Sequence, residues 1–542
     1  MQGLMMDVPL LVSGLIRFAD RNHGDTEIVS NTVEGGLHRY TYRDAHARAR
    51  RLAKVLHALG VKLGDRVGTL AWNGYRHYEL YYAISGIGAV INTVNPRLFP
   101  DQITYISNHA ENQVLCFELN LLPLVEKLAP RFTTVKHYVL MTDRAHMPAQ
   151  TSIPTLLCYE DLLQQQDERF AWPSFDERTA AALCYTSGTT GNPKGVLYTH
   201  RSTVLHAYGA ALPDSLNLSA LDAVLPVVPM FHAAAWSLPY ACTMVGAKMV
   251  FPGPHLDGKS VYELIEQEQV TMSAGVPTVW LMLLQHLATH DVTFSTLTRT
   301  VIGGSACPPA MLRAFQDDYG VTVFHAWGMT EMSPLGTVGS LKVKQAQLPK
   351  DERDAVQAKQ GRGIFGVEMK IVDKGGDELP WDGKAFGDLL VKGPSVASGY
   401  MKGEGGDPLK DGWFPTGDVA TIDADGYMQI TDRSRDVIKS GGEWISSIDM
   451  ENIAVAHPAI QEAAVIGIKH PKWDERPLVV AVKKAGQDVS REELLKFYEG
   501  KIAKWWMPDD VVFVAELPHT ATGKLSKLTL RQQLKDYRLP GT

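Results

Sequence analysis

Short apolar runs alternate with helix-period segments through about residue 330, and this alternation restricts the fold more than any other feature of the chain. The clearest helix is TYRDAHARARRLAKVLHALG, residues 41–60. Ala45, Ala49, Leu52, Leu56 and Leu59 recur at steps of three and four, Thr41 is placed to cap the start, and Gly60 stands where a left-handed residue closes a helix. DRVGTLAWNG then reads as a strand entering a turn, and YRHYELYYAISGIGAVINTVNPRL as a helix feeding a second strand that ends at Asn95-Pro96. Strands alternating with helices predict parallel sheets with helical crossovers. Residues 143–180, rich in Pro, Gln, Asp and Glu, read as an exposed connection.

The 542 residues exceed what a single hydrophobic core accommodates, so two or more domains are expected. Basic residues number 53 against 60 acidic, a net charge of −7, and no long basic run is present to track a nucleic-acid backbone; nucleic acid is not an expected partner. The cysteines at 116, 158, 184, 242 and 307 are scattered and lack metal-ligand spacing, which predicts reduced core residues in a cytoplasmic protein. The N-terminus lacks a basic region ahead of its short apolar run, and no window of 18 apolar residues predicts a transmembrane segment.

The densest chemical signal is YTSGTTGNPKGV, residues 185–196, set between two apolar runs. Three glycines allow close backbone approach, hydroxyls and N–H groups can surround phosphate oxygens, and Lys194 adds a positive charge. A nucleotide-triphosphatase P-loop would need Gly-Lys-Ser/Thr opening a helix, but Lys194 is followed by Gly195 and the β-formers Val196, Leu197 and Tyr198. A strand, a polar loop and a second strand are therefore expected. Further on, TVIGGSACPP (300–309) and VFHAWGMTEMSP (323–334) each read as a strand running into a loop, and the second loop sets Thr330 beside Glu331, a hydroxyl and a carboxylate suited to phosphate and Mg2+. Thr416-Gly417-Asp418 puts a carboxylate after a glycine turn, and DADGY reads as a hairpin turn. In FHAAAWSLPY a four-residue step predicts His232 and Trp236 on one face of a helix; from those two residues alone a buried helix start with a satisfied core histidine is the favoured reading.

Together these stretches resemble the signatures of the acyl-adenylate-forming enzymes, which include acyl-CoA synthetases, luciferases and the adenylation domains of peptide synthetases. Six motifs occur in order over nearly the whole chain, and FHAAAWSLPY and GEWIS are similar to the fatty acyl-CoA synthetase branch in particular. The resemblance implies an α/β fold: a large N-terminal acyl- and ATP-binding domain of parallel and mixed sheets (1–431), a hinge (432–436) and a small mobile α+β C-terminal domain (437–542). It implies ATP, Mg2+ and CoA as partners of a small carboxylic acid, and a possible homodimer. Thr186, Ser187, Gly188, Thr189, Thr190, Gly191 and Lys194 would hold phosphates. Gly303, Gly304, Ser305, His325, Ala326, Trp327, Gly328 and Thr330 would surround the nucleotide, with Trp327 replacing the commoner tyrosine. Glu331 would hold the metal ion, Asp418 the ribose, and Arg433 the ribose or phosphate. His232 and Trp236 would border the acyl tunnel, Arg435 would be the hinge, and Ser440, Gly441, Gly442 and Trp444 would line the CoA passage. Lys524, in HTATGK, would be the adenylation lysine.

The resemblance further implies an AMP-forming ligase for an aliphatic acid, medium-chain fatty acids first. A short sulfur-containing acid such as 3-methylthiopropionate and the loading of a carrier protein are the alternatives. The absence of a carboxylate after His232 disfavours amino acids, and the retention of Lys194, Glu331, Asp418 and Lys524 disfavours a non-catalytic binding protein.

Overall fold

The computed structural model describes residues 1, 3–186, 192–433, 436–440, 443–520 and 525–540. The expected helix spans Tyr42–Ala58: Thr41 accepts from Asp44 N–H through Oγ1 while Asp44 Oδ2 accepts from Thr41 N–H at 3.0 Å, and Gly60 takes φ +82° just beyond the helix end. Its stripe of Ala45, Ala49, Leu52 and Leu56 is buried. Each buried leucine stabilises the packing by about 1.5–3 kcal/mol relative to exposure.

The fold is mixed α/β. One sheet has seven strands, ordered Leu156–Cys158, His137–Met141, Asn112–Glu118, Arg66–Leu70, Val90–Thr93, Ala180–Tyr185 and Gly195–Thr199; all run parallel except the last, antiparallel to its neighbour. A second sheet has nine strands, with a parallel centre from Thr322–Gly328 through Arg299–Ile302, Met272–Gly275, Ala223–Pro226 and Lys248–Phe251 to Glu27–Asn31, and antiparallel strands outside it. A four-stranded antiparallel sheet follows, from Glu368–Val372 to Met428–Arg433. The smaller C-terminal part is a five-stranded sheet between Ile438 and Phe513, with helices packed against it.

Helix Tyr75–Gly86 lies between the two large sheets, touching strands of both, and every one of its residues is buried. Its charges are paired: Glu79 faces Arg48 at 2.7 Å and Arg76 faces Glu160 at 2.9 Å. Two expectations are corrected. Residues 143–180 are not merely an exposed connection, because they supply the edge strand Leu156–Cys158 and the helix Tyr159–Gln164, whose Tyr159 is buried. His232 and Trp236 do not share a helix face: residues 233–237 turn in the left-handed sense. All five cysteines are buried with free thiols, and no described helix is long and apolar enough to cross a membrane.

Candidate active site

The strand–loop–strand expectation for 185–196 is met at its ends. Ala180–Tyr185 pairs antiparallel with Gly195–Thr199, Thr186 N–H donates to Lys194 O at 2.9 Å, and Lys194 N–H donates to Thr186 Oγ1 at 3.1 Å. Gly195 is tightly packed, since a Cβ there would come within 2.9 Å of the Leu183 side-chain end and 3.2 Å of Met401. Ser187, Gly188, Thr189, Thr190 and Gly191 lie outside the described residues. Lys194 Nζ stands 4.8 Å from the centre of the Tyr400 ring, a cation–π contact.

Tyr400 connects that lysine to the second signature. Its hydroxyl donates to Glu331 Oε1 at 2.8 Å, while Tyr198, on the strand after the polar loop, donates its hydroxyl to Thr330 O at 2.6 Å. Burial, and then the Glu331 carboxylate, push the Tyr400 phenol pKa up, so it stays a donor. Thr330 and Glu331 are each 8% exposed, and no hydrogen-bond partner of Glu331 Oε2 is found among the described residues. Trp327 is buried among Met332, Met369, Ile371 and Leu389, and its indole N–H donates to Asp418 Oδ2 at 3.0 Å. The other oxygen, Asp418 Oδ1, pairs with Arg433 Nε at 2.8 Å.

Gly303, Ala326 and Trp236 are brought together. A Cβ on Gly303 would fall 2.7 Å from Ala326 O and 3.1 Å from the Trp236 ring. Gly304 takes φ +80°, and Ser305 is exposed beside it. Gly328 is equally confined, as its Cβ would lie 2.1 Å from Pro334 O. The His325 ring points into the protein: Nδ1 donates to Ala358 O at 2.8 Å and Nε2 accepts from Cys307 N–H at 3.2 Å, so the ring anchors the loop after Gly303. Burial lowers its pKa to about 4, which keeps it neutral.

Ala233, Ala234, Ala235, Trp236 and Ser237 have φ of 43°, 50°, 48°, 55° and 69°. A left-handed conformation costs L-residues roughly 1–2 kcal/mol each, which is why a four-residue step along a right-handed helix does not describe this segment. The turn leaves the Trp236 ring half-buried against Gly303, with His232 at its entrance. In the C-terminal part, Ser440 accepts at Oγ from Arg476 at 3.2 Å, and Trp444 pairs through its backbone with Lys439. Arg435, Gly441, Gly442 and Lys524 lie outside the described residues.

Two family models match, described as AMP-binding enzyme over residues 16–401 and AMP-binding enzyme C-terminal domain over residues 449–524. The chain belongs to the AMP-binding enzyme family. It is 55% identical over 536 residues to a 3-methylmercaptopropionyl-CoA ligase of Ruegeria lacuscaerulensis, covering 99% of each chain. It is 49% identical to a medium-chain-fatty-acid–CoA ligase of Ectopseudomonas oleovorans, covering 99% of this chain and 98% of the other. Among solved structures, the anthranilate CoA ligase AuaEII in complex with anthranoyl-AMP superposes with a TM-score of 0.84 at 26% identity, covering 98% of each chain.

In this AMP-binding enzyme, Tyr198 and Tyr400 are the residues that motif reasoning passed over. Tyr198 follows the polar loop within its own strand and could have been found from that position. Tyr400 sits in SGYMKG, which carries no chemical signature, and only the chain path sets it beside Glu331 and Lys194.

Proposed function

We propose that this chain activates an aliphatic carboxylic acid, with medium-chain fatty acids as the first candidates and 3-methylthiopropionate as the second. It is an ATP-dependent, AMP-forming acid–CoA ligase. A carboxylate oxygen attacks the α-phosphorus of ATP, the bond to the β,γ-phosphates breaks, and acyl-AMP and pyrophosphate form. The thiolate of CoA then attacks the acyl carbon and AMP leaves. Positioning and charge neutralisation carry most of such catalysis.

In this reading Lys194 and the loop 186–191 hold the departing phosphates, and Asp418 with Arg433 orients the ribose. Lys524 neutralises charge between the acid and the α-phosphate. The observation that carries the reading is the contiguous line Lys194, Tyr400, Glu331, in which one tyrosine ring carries a cation on its face and a buried carboxylate on its hydroxyl, with no partner for that carboxylate's second oxygen among the described residues. A single carboxylate suits Mg2+, which takes its remaining ligands from water and phosphate and supplies further charge neutralisation when bound. The hinge at 432–436, with Arg435 absorbing the rotation, exchanges Lys524 for Gly441-Gly442 between the two half-reactions. Ser440 and Trp444 belong to the same CoA passage. His232 and Trp236 border the acyl pocket. A cytoplasmic homodimer completes the proposal.

Both acids are supported by relatives: the Ruegeria and Ectopseudomonas ligases are named for them. The test is pyrophosphate release with ATP and Mg2+ across carboxylates from acetate to palmitate, 3-methylthiopropionate included, with and without CoA. Repeated turnover with one narrow group of acids and only with CoA is expected. Turnover that requires a carrier protein would overturn CoA as the acceptor.

A further inference from the structure

The left-handed turn Ala233–Ser237 contains no glycine, and three of its five residues are alanines. A strained conformation of this kind persists only where its surroundings over-determine it. The turn packs against helices His200–Ala211 and Leu238–Val245, while Asn73 and the buried helix Tyr75–Gly86 hold the segments on either side of it. Asn73, 3% exposed, donates from Nδ2 to Pro226 O at 2.7 Å and Val228 O at 2.8 Å, and accepts at Oδ1 from Met230 N–H at 2.6 Å. Tyr81 donates its hydroxyl to Met230 O, and Tyr82 donates to Pro239 O at 2.9 Å; both rings are fully buried. These bonds end on both sides of the turn, on residues 226–230 before it and on residue 239 after it. His77 fixes the approach to Asn73, with Nδ1 donating to Trp72 O at 2.9 Å.

We infer that Asn73, Tyr81 and Tyr82 are positioning residues that set acid specificity: they clamp the left-handed turn and so hold Trp236 against Gly303, which limits the depth of the acyl pocket. The inference rests on the reading of Trp236 as the pocket wall. The clamp touches no substrate. When one of its bonds is removed, the turn relaxes toward the right-handed or extended backbone that Ala-Ala-Ala prefers, and the indole swings off Gly303.

The test uses the full-length chain and five variants: Tyr81→Phe, Tyr82→Phe, Asn73→Ser, Trp236→Ala and Tyr498→Phe. The last removes an equally buried tyrosine–carbonyl bond, to Met450 O at 2.7 Å, in the C-terminal part. For each, kcat/KM is measured over a series of straight-chain acids, with the KM for ATP and the melting temperature. Tyr82→Phe is expected to change the ratio of kcat/KM between the longest and shortest accepted acids by about tenfold, through the acid KM, with the ATP KM unchanged. Tyr498→Phe is expected to lower the melting temperature and leave that ratio alone. If Trp236→Ala shifts the ratio while folded Tyr81→Phe and Tyr82→Phe do not, the clamp is overturned and the pocket wall stands. If none of them shifts it, the wall reading falls and the clamp falls with it. Should Asn73→Ser fail to fold, the two tyrosine variants decide.

Discussion

The indole N–H of Trp327 donates to Asp418 Oδ2 at 3.0 Å and ties the end of a central strand of the nine-stranded sheet to the four-stranded sheet. The same carboxylate receives Arg433 on its other oxygen at 2.8 Å, so a buried acid is held from both sides. Trp327→Phe keeps a ring in place and removes the donor. Losing a hydrogen bond to a charged group costs roughly 1.5–3 kcal/mol, and the ATP KM is expected to rise about tenfold with little change in kcat. Steady-state kinetics with ATP varied checks this; an unchanged KM would mean that Asp418 stays oriented without the Trp327 bond.

Tyr400→Phe removes the only donor seen on the Glu331 carboxylate among the described residues, and strips the ring under Lys194 of its polar edge. The expected outcome is a kcat about tenfold lower, with a higher Mg2+ concentration needed for half-maximal rate. Titration of Mg2+ at saturating ATP and acid measures both. A variant with normal kcat and normal Mg2+ dependence would remove Tyr400 from the machinery.

Gly303→Ala forces a methyl into the backbone of Ala326 and the edge of Trp236, at 2.7 and 3.1 Å. Overpacking of this kind typically costs about 1–3 kcal/mol. Because both neighbours belong to the proposed nucleotide and acyl surfaces, KM for ATP and for the acid should rise together. An increase in only one of them would show that Gly303 serves a single substrate.

Burial lowers the pKa of His77, His200, His206 and His325 to about 4 each, against 6.5 for a free imidazole. The unfolded chain therefore binds more protons than the folded one between pH 4 and 6.5. Stability is retained above 6.5 and falls as pH drops through that window, by up to about 3 kcal/mol per ring. Burial of Glu118 acts in the other direction, raising its pKa from 4.5 to about 8, so its contribution declines as pH rises from 4.5 to 8. The melting temperature should peak at about pH 7, where the slope from the four rings and that from Glu118 cancel. His206→Gln can still accept the Leu335 N–H that His206 Nε2 takes at 2.9 Å and should flatten the acid limb, whereas Glu118→Gln should flatten the alkaline one. Calorimetry from pH 4.5 to 9 reads both.

Much of the large domain was legible because its signals are local. Helix Tyr42–Ala58 has its capping pair three residues apart and its apolar stripe within one segment. The ends of the polar loop were legible because Tyr185 and Gly195 flank it directly. The turn at 233–237 was not, since Ala-Ala-Ala favours a right-handed helix and the groups that bracket it, at Asn73, Tyr81 and Tyr82, come from about 150 residues earlier. For the same reason residues 143–180 looked like a connection: an edge strand of three residues carries almost no periodicity.

Sequence alone determined the family, the order of its motifs and the kind of chemistry each can perform, because residue type and short spacing carry that information. It also determined the parallel character of the two large sheets, through the alternation of strand and helix up to about residue 330. Only the tertiary structure decided which groups meet: that Trp327 holds Asp418, that Tyr400 joins Lys194 to Glu331, and that a left-handed turn sets Trp236 on Gly303. Those contacts join residues far apart in the chain, so no local spacing or backbone preference encodes them.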